Sequence, residues 1–206
     1  MTGAMLSESP RPGAPRASAV ASFYGVLGIV AFFWHAIAED KNDLWRLDPD
    51  QSGVTLLWTP LLGVALGLAV VRGFRWLEPR MPWIVELGGE LRSLFGRPRR
   101  RELLLIAAAS ALGEELLFRG AMLDAWGVWL SSLVFAALHI PPRRALWPWT
   151  LSSLILGLAL AALTILTGNL GAAVAAHFVI NLLNLRYITR GQEDVRGPVR
   201  IGLAQL

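Results

Sequence analysis

The sequence predicts an all-α fold: a polytopic membrane helix bundle of about six transmembrane helices plus one interfacial amphipathic helix. Three observations predict it. Of 206 residues, 54% are hydrophobic and only 17% charged, with a mean hydropathy of +0.50, whereas soluble domains carry about 25% charged residues. Apolar runs recur at close to the roughly 20 residues that a bilayer core requires. The loops between them alternate in charge, as the membrane topology rule demands.

Composition also removes function classes. There is no cysteine, so disulfides, thiolate nucleophiles and Cys-ligated metals are excluded. The pI of 10.6 does not indicate nucleic acid, because the arginines lie in membrane-flanking loops. Lys41 is the only lysine, an arginine bias that suits a GC-rich bacterial genome. Several of the nine tryptophans (Trp45, Trp76, Trp83, Trp126, Trp147, Trp149) sit near predicted segment ends, as in an interfacial aromatic belt.

Residues 1–18, rich in Pro, Gly, Ser and Ala, are expected to be a disordered tail, followed by a single transmembrane domain over 19–190. Segment 1 is predicted over Val20–Ala38 and segment 2 over Val54–Val71. Trp76–Phe95 places Trp76, Trp83, Ile84, Leu87, Leu91 and Leu94 at helical spacing among charges, the pattern of an interfacial amphipathic helix. Segment 3 covers Arg101–Gly120, and its periodicity allows continuation to Trp126. Segment 4, Val128–Ile140, must stop at Pro141. Segments 5 and 6 follow at Trp149–Leu166 and Leu170–Ile188. Residues 191–206 form a cytoplasmic tail.

The first loop, Glu39–Ser52, holds five acids against Lys41 and Arg46; the second, Arg72–Arg101, holds eight arginines. Arg143 and Arg144 occupy the segment 4–5 loop, and Arg186, Arg190, Arg196 and Arg200 lie near or in the tail. These alternate correctly for a bacterial inner-membrane protein with both termini in the cytoplasm.

Segment 3 carries three ionisable groups, Glu114, Glu115 and Arg119. Each costs roughly 2.5–3.5 kcal/mol on insertion scales. Glu115 and Arg119 are four apart and can pair on one face. Glu114 points about 100° away and is left free. A buried ion pair that only fixes packing is the plainer reading. His139 closes segment 4 in FAALH, four residues after Phe135. His177 and Asn181 share a face in HFVIN. Taken singly, these suit an interfacial anchor and interhelical hydrogen-bonding. Together, a carboxylate, two imidazoles and an amide form a hydrolytic set needing no serine or cysteine. His35, without a polar partner at helical spacing, reads as structural.

EELLFR, FAALH and HFVIN match EExxxR, FxxxH and HxxxN in order on successive segments. The chain thus resembles the CPBP family of CAAX proteases and bacteriocin-processing (Abi) proteins over about Glu114–Asn181. The resemblance implies a glutamic-type intramembrane endopeptidase acting on a membrane-anchored protein or peptide near its C-terminal anchor, in the lipid bilayer and without nucleic acid. Glu114 would activate water, assisted by His139. His177 and Asn181 would stabilise the oxyanion. Glu115, Arg119 and Phe135 would support them. No cofactor is implied; a zinc site of Glu and two His is the alternative, against which the lack of an HExxH pair counts. Size and inferred depth suit sorting proteases of the myxosortase kind within the family.

At about 1.5 Å per residue, Glu114 and His177 both fall in the middle or outer half of the bilayer. His139 can join them only from a short fourth helix bordering a water-accessible cavity. Two readings from other classes stand beside the protease. One is a non-catalytic membrane scaffold or bacteriocin-immunity protein retaining the family fold. The other is a small transporter with a proton relay.

Overall fold

A computed structural model describes residues 17–38, 43–47, 50–95, 98–141 and 143–190; the predicted tails at 1–16 and 191–206 lie outside them. Among the described residues the fold is helical. It comprises α1 (Ala17–Ala38), α2 (Gly53–Leu77), α3 (Pro82–Phe95), α4 (Arg100–Glu115), α5 (Leu123–Ala137), α6 (Trp147–Thr167) and α7 (Gly171–Arg190). A π-helical turn, Leu116–Met122, joins α4 to α5.

Every predicted segment is present, with shifted boundaries. The amphipathic segment begins at Pro82 rather than Trp76, because α2 continues to Leu77 and a single 3₁₀ turn, Glu78–Arg80, intervenes. Segments 3 and 4 run together through the π turn. The break between them is at Gly127, whose φ of 74° and ψ of 178° leave helical space, a conformation open to glycine and strained for other residues.

Among the described residues, four stretches are long and apolar enough to cross a membrane: Ala17–Ile37, Gly53–Arg80, Arg144–Thr167 and Gly171–Thr189. α4 and α5, with 16 and 15 residues, are shorter than the roughly 20 that a span needs. α4 carries Glu114 and Glu115, and the π turn that follows it carries Arg119. Ile37 and Leu166 are 80% and 83% exposed, a placement that suits lipid rather than water.

Apolar burial gives little drive for helix association in lipid, so close packing must hold the bundle. α2 meets α7 along Gly63 and Gly67, a GxxxG pair facing Ala172 and Ala176. A Cβ on Gly63 would stand 2.0 Å from the Ala172 carbonyl oxygen. α4 packs between α1 and α7, and α5 against α6.

The polar ends sort as the loop charges anticipate. Arg46 bridges Asn169, with Leu47 N donating to Gly168 O at 2.9 Å and Leu170 N to Trp45 O at 3.0 Å. This joins the acidic first loop to the α6–α7 turn at one end. Beneath it, Thr59, Gln51 and Asn169 share hydrogen bonds. At the other end Arg143 pairs with Glu86 and Glu90 of α3, and Tyr187 Oη donates to Glu78 Oε2 at 2.9 Å.

Replacing Gly63 with Leu should push α2 from α7 and cost on the order of 3 kcal/mol, within the range for overpacking. Unfolding in detergent, followed by tryptophan fluorescence, measures it; wild-type stability in that variant would refute the close-packed seam.

Candidate active site

The site grows from the end of α4. Ala107, Ala111 and Gly113 are small enough to let neighbouring helices close on it. At that end Glu114 and Glu115 are 7% and 0% exposed. The π turn begins at the next residue; such turns are frequent at functional sites because the bulge re-aims side chains.

Arg119, 1% exposed, completes the pair expected from i,i+4 spacing. Its Nη1 donates to Glu115 Oε1 at 3.0 Å, and Nη2 donates to the Gly157 carbonyl of α6 at 3.2 Å. The guanidinium lies 4.3 Å over the Phe135 ring, a cation–π contact strengthened where water is excluded. One arginine thereby ties α4, α5 and α6 together.

His177 takes a different position from the one its spacing suggests. Its Nδ1 lies 2.6 Å from Glu115 Oε1, and its Nε2 lies 3.7 Å from Glu114 Oε2. The imidazole therefore spans both glutamates, and Glu115 is more than a counter-ion to Arg119. Glu114 Oε2 is buried without a hydrogen-bond partner. Such a group is costly in a purely structural role and is expected where a ligand or water completes it.

His139 ends its short helix with Nδ1 2.7 Å from the Phe135 carbonyl oxygen, which leaves Nε2 for the cavity. Its ring is 4.5 Å from Phe135 and meets Trp149 edge-on at 5.6 Å. Thr150 Oγ1 donates to the His139 carbonyl at 2.9 Å, fixing the turn to α6. Asn181 Nδ2 donates to Ser110 Oγ at 2.9 Å.

Glu114, His139, His177 and Asn181 all line one cavity of about 680 Å³. So does Phe135, whereas Glu115 and Arg119 stand behind it. The cavity extends past Trp83, Leu87 and Leu91 of α3 to Arg75, Glu78 and Tyr187. It thus runs toward the α3 end of the bundle. The depth expected for Glu114 and His177 concerned only the floor; the approach to it comes from the arginine-rich end.

Two cavity residues escaped the sequence reading. Tyr24 of α1 turns its hydroxyl to the Glu114 carboxylate; no spacing links it to the motifs. Ser110 lies four residues before Glu114, and that i,i+4 relation was a usable signal. His35 is buried away from the cavity, with its Nδ1 3.9 Å from Asp124 Oδ2.

Among the described residues no group of three His, Asp or Glu side chains is arranged to hold a metal.

Helices, cavity and buried carboxylate–imidazole set define a polytopic membrane protein with a buried polar centre. Residues 100–183 match the family model described as "Type II CAAX prenyl endopeptidase Rce1-like", so this segment is similar to that family. It is also 29% identical over 164 residues to "Uncharacterized protein YpbD" of Bacillus subtilis (strain 168), covering 76% of this chain and 83% of that one. No solved structure matches it.

Arg119→Met should leave Glu115 without its arginine partner and destabilise the protein by about 3–5 kcal/mol, the cost of breaking a buried ion pair. The double variant Glu115→Gln with Arg119→Met should recover part of that loss. Thermal unfolding in one detergent compares them, and additive losses would contradict the pairing.

Proposed function

We propose that this protein is a glutamic-type intramembrane endopeptidase that hydrolyses a peptide bond in a membrane-anchored polypeptide, near its C-terminal anchor. The observation that carries the reading is the convergence of Glu114, His139, His177 and Asn181 on one cavity, with Glu114 Oε2 buried and unpartnered.

In this reading Glu114 takes a proton from water, and His139 holds that water or relays the proton. The resulting hydroxide attacks the scissile carbonyl. His177 Nε2 and the Asn181 amide face the developing oxyanion. His177 donates to Glu115 at Nδ1, so donating at Nε2 as well requires both ring protons. Its charge then joins that of Arg119 to balance Glu114 and Glu115, and the four groups sum to zero. Preorganised donors in a water-poor site are typically worth a factor of about 10²–10³ in rate each. Collapse of the tetrahedral intermediate returns the proton from Glu114 to the leaving amine.

The apolar walls of Phe74, Ile84, Leu91 and Leu185 suit a hydrophobic segment of substrate. Because the cavity runs to the α3 end, substrate reaches Glu114 from the side where the arginines place the cytoplasm. Retention in a bacterial inner membrane with both termini inside is part of the same proposal. Removal of a C-terminal anchor, as in the myxosortase kind of protease, fits the site chemistry; the approach from the arginine-rich end favours substrates cut from the cytoplasmic side.

Three measurements test this. Glu114→Ala should abolish cleavage and lead an uncut membrane precursor to accumulate in cells, visible by comparative membrane proteomics; undiminished processing would refute the mechanism. Activity should survive exhaustive chelation, and a loss reversed by zinc would replace the glutamic mechanism with a metal one. Since the chain lacks cysteine, Asp50→Cys should be labelled from outside intact cells, and Arg144→Cys only after permeabilisation.

A further inference from the structure

Beside the cavity, the α4–α7 seam holds one polar contact that the reaction scheme leaves unused. Ser110 is 4% exposed and sits on α4 one turn before Glu114. Its hydroxyl donates to the Ala107 carbonyl at 3.2 Å, which spends the single proton it has. Toward any further partner the oxygen can only accept. That partner is Asn181, whose Nδ2 donates to it at 2.9 Å.

The asymmetry sets the amide. An Asn181 turned the other way would bring Oδ1 against a Ser110 lone pair rather than a proton. Asn181 is therefore held with Nδ2 toward α4, and its second N–H is left to the cavity it lines. His177, one turn earlier on α7, is held in parallel fashion by Glu115. Each of the two polar groups of α7 that the reaction scheme uses is thus oriented by a side chain of α4. A donor acts on a transition state only as far as its orientation is fixed beforehand, and a side-chain amide with two free torsions is poorly fixed without such an anchor.

We infer that Ser110 is a positioning residue for the hydrolysis, acting through Asn181 to aim an N–H at the reacting carbonyl. The inference rests on the endopeptidase reading above, and two readouts separate its fate from that reading. The first needs no substrate. In protein labelled with ¹⁵N-asparagine and held in micelles, the Asn181 side-chain amide is identified by its loss in Asn181→Ala. Its exchange with water should be about tenfold faster in Ser110→Ala than in wild type, and near wild type in Ser110→Thr, which keeps the hydroxyl. The second readout is turnover of an internally quenched peptide ending in a prenylated CAAX sequence. Ser110→Ala should lower kcat about tenfold with KM within about twofold, and Ser110→Thr should restore most of the loss. Added to Asn181→Ala, Ser110→Ala should cost nothing further, since both remove one unit.

An amide that exchanges equally fast in wild type and Ser110→Ala would overturn the inference. So would losses that multiply in the double variant, or full turnover by Ser110→Ala where Asn181→Ala is impaired. Full turnover by Glu114→Gln would instead overturn the endopeptidase mechanism, with the exchange comparison still deciding whether Ser110 orients Asn181.

Discussion

Buried charge governs this molecule. Glu115 and Arg119 are almost fully removed from solvent, and an ion held that way is tolerable only when paired and hydrogen-bonded. Glu115 Oε1 meets both Arg119 and His177; Arg119 reaches on to the Gly157 carbonyl and the Phe135 ring. Four helices are thereby committed to one register, because sliding any of them would strand a charge. The arrangement supplies specificity more than net stability, as buried ion pairs generally do. What it leaves without a hydrogen bond are Oε2 of Glu115 and Oε2 of Glu114, and of the two residues only Glu114 lines the cavity.

The surroundings follow from that commitment. Helices cannot reach one another at such a centre if bulky side chains keep them apart. The seam of α2 and α7 is accordingly lined by Gly63, Gly67, Ala172 and Ala176, and α4 presents Gly113 to α1. Large apolar residues are turned outward instead, the reverse of a water-soluble core. A short α5 ending at Ala137, with Pro141 close behind, lets His139 face inward beside Trp149.

Much of this was legible in the residues themselves. Hydropathy and arginine-rich loops marked the helices and their two ends, because both signals reflect transfer energies that act residue by residue. The Glu115–Arg119 pair was legible from i,i+4 spacing, and the shortness of the helix before His139 from Pro141. The rest depends on tertiary placement. No spacing says that His177 would hold Glu115 more closely than Glu114, since the two helices are brought together by contacts elsewhere. The π turn leaves no compositional trace in LLFRGAM. The direction of the cavity could not be deduced from the depth of Glu114, because depth fixes a floor and says nothing of the opening. Tyr24 comes from a helix that precedes the matched family segment, so no motif pointed to it.

The long-range seam between α2 and α7 bears on biogenesis. α2 leaves the ribosome more than a hundred residues before α7, the last of the described helices, so its glycine face waits in lipid without its partner. His177 and Asn181 arrive with that final helix. Until it docks, the growing chain carries Glu114 and His139 without the imidazole and amide that α7 brings. In the proposed mechanism the set around Glu114 is therefore complete only once α7 has docked, so the polar centre is assembled late in insertion.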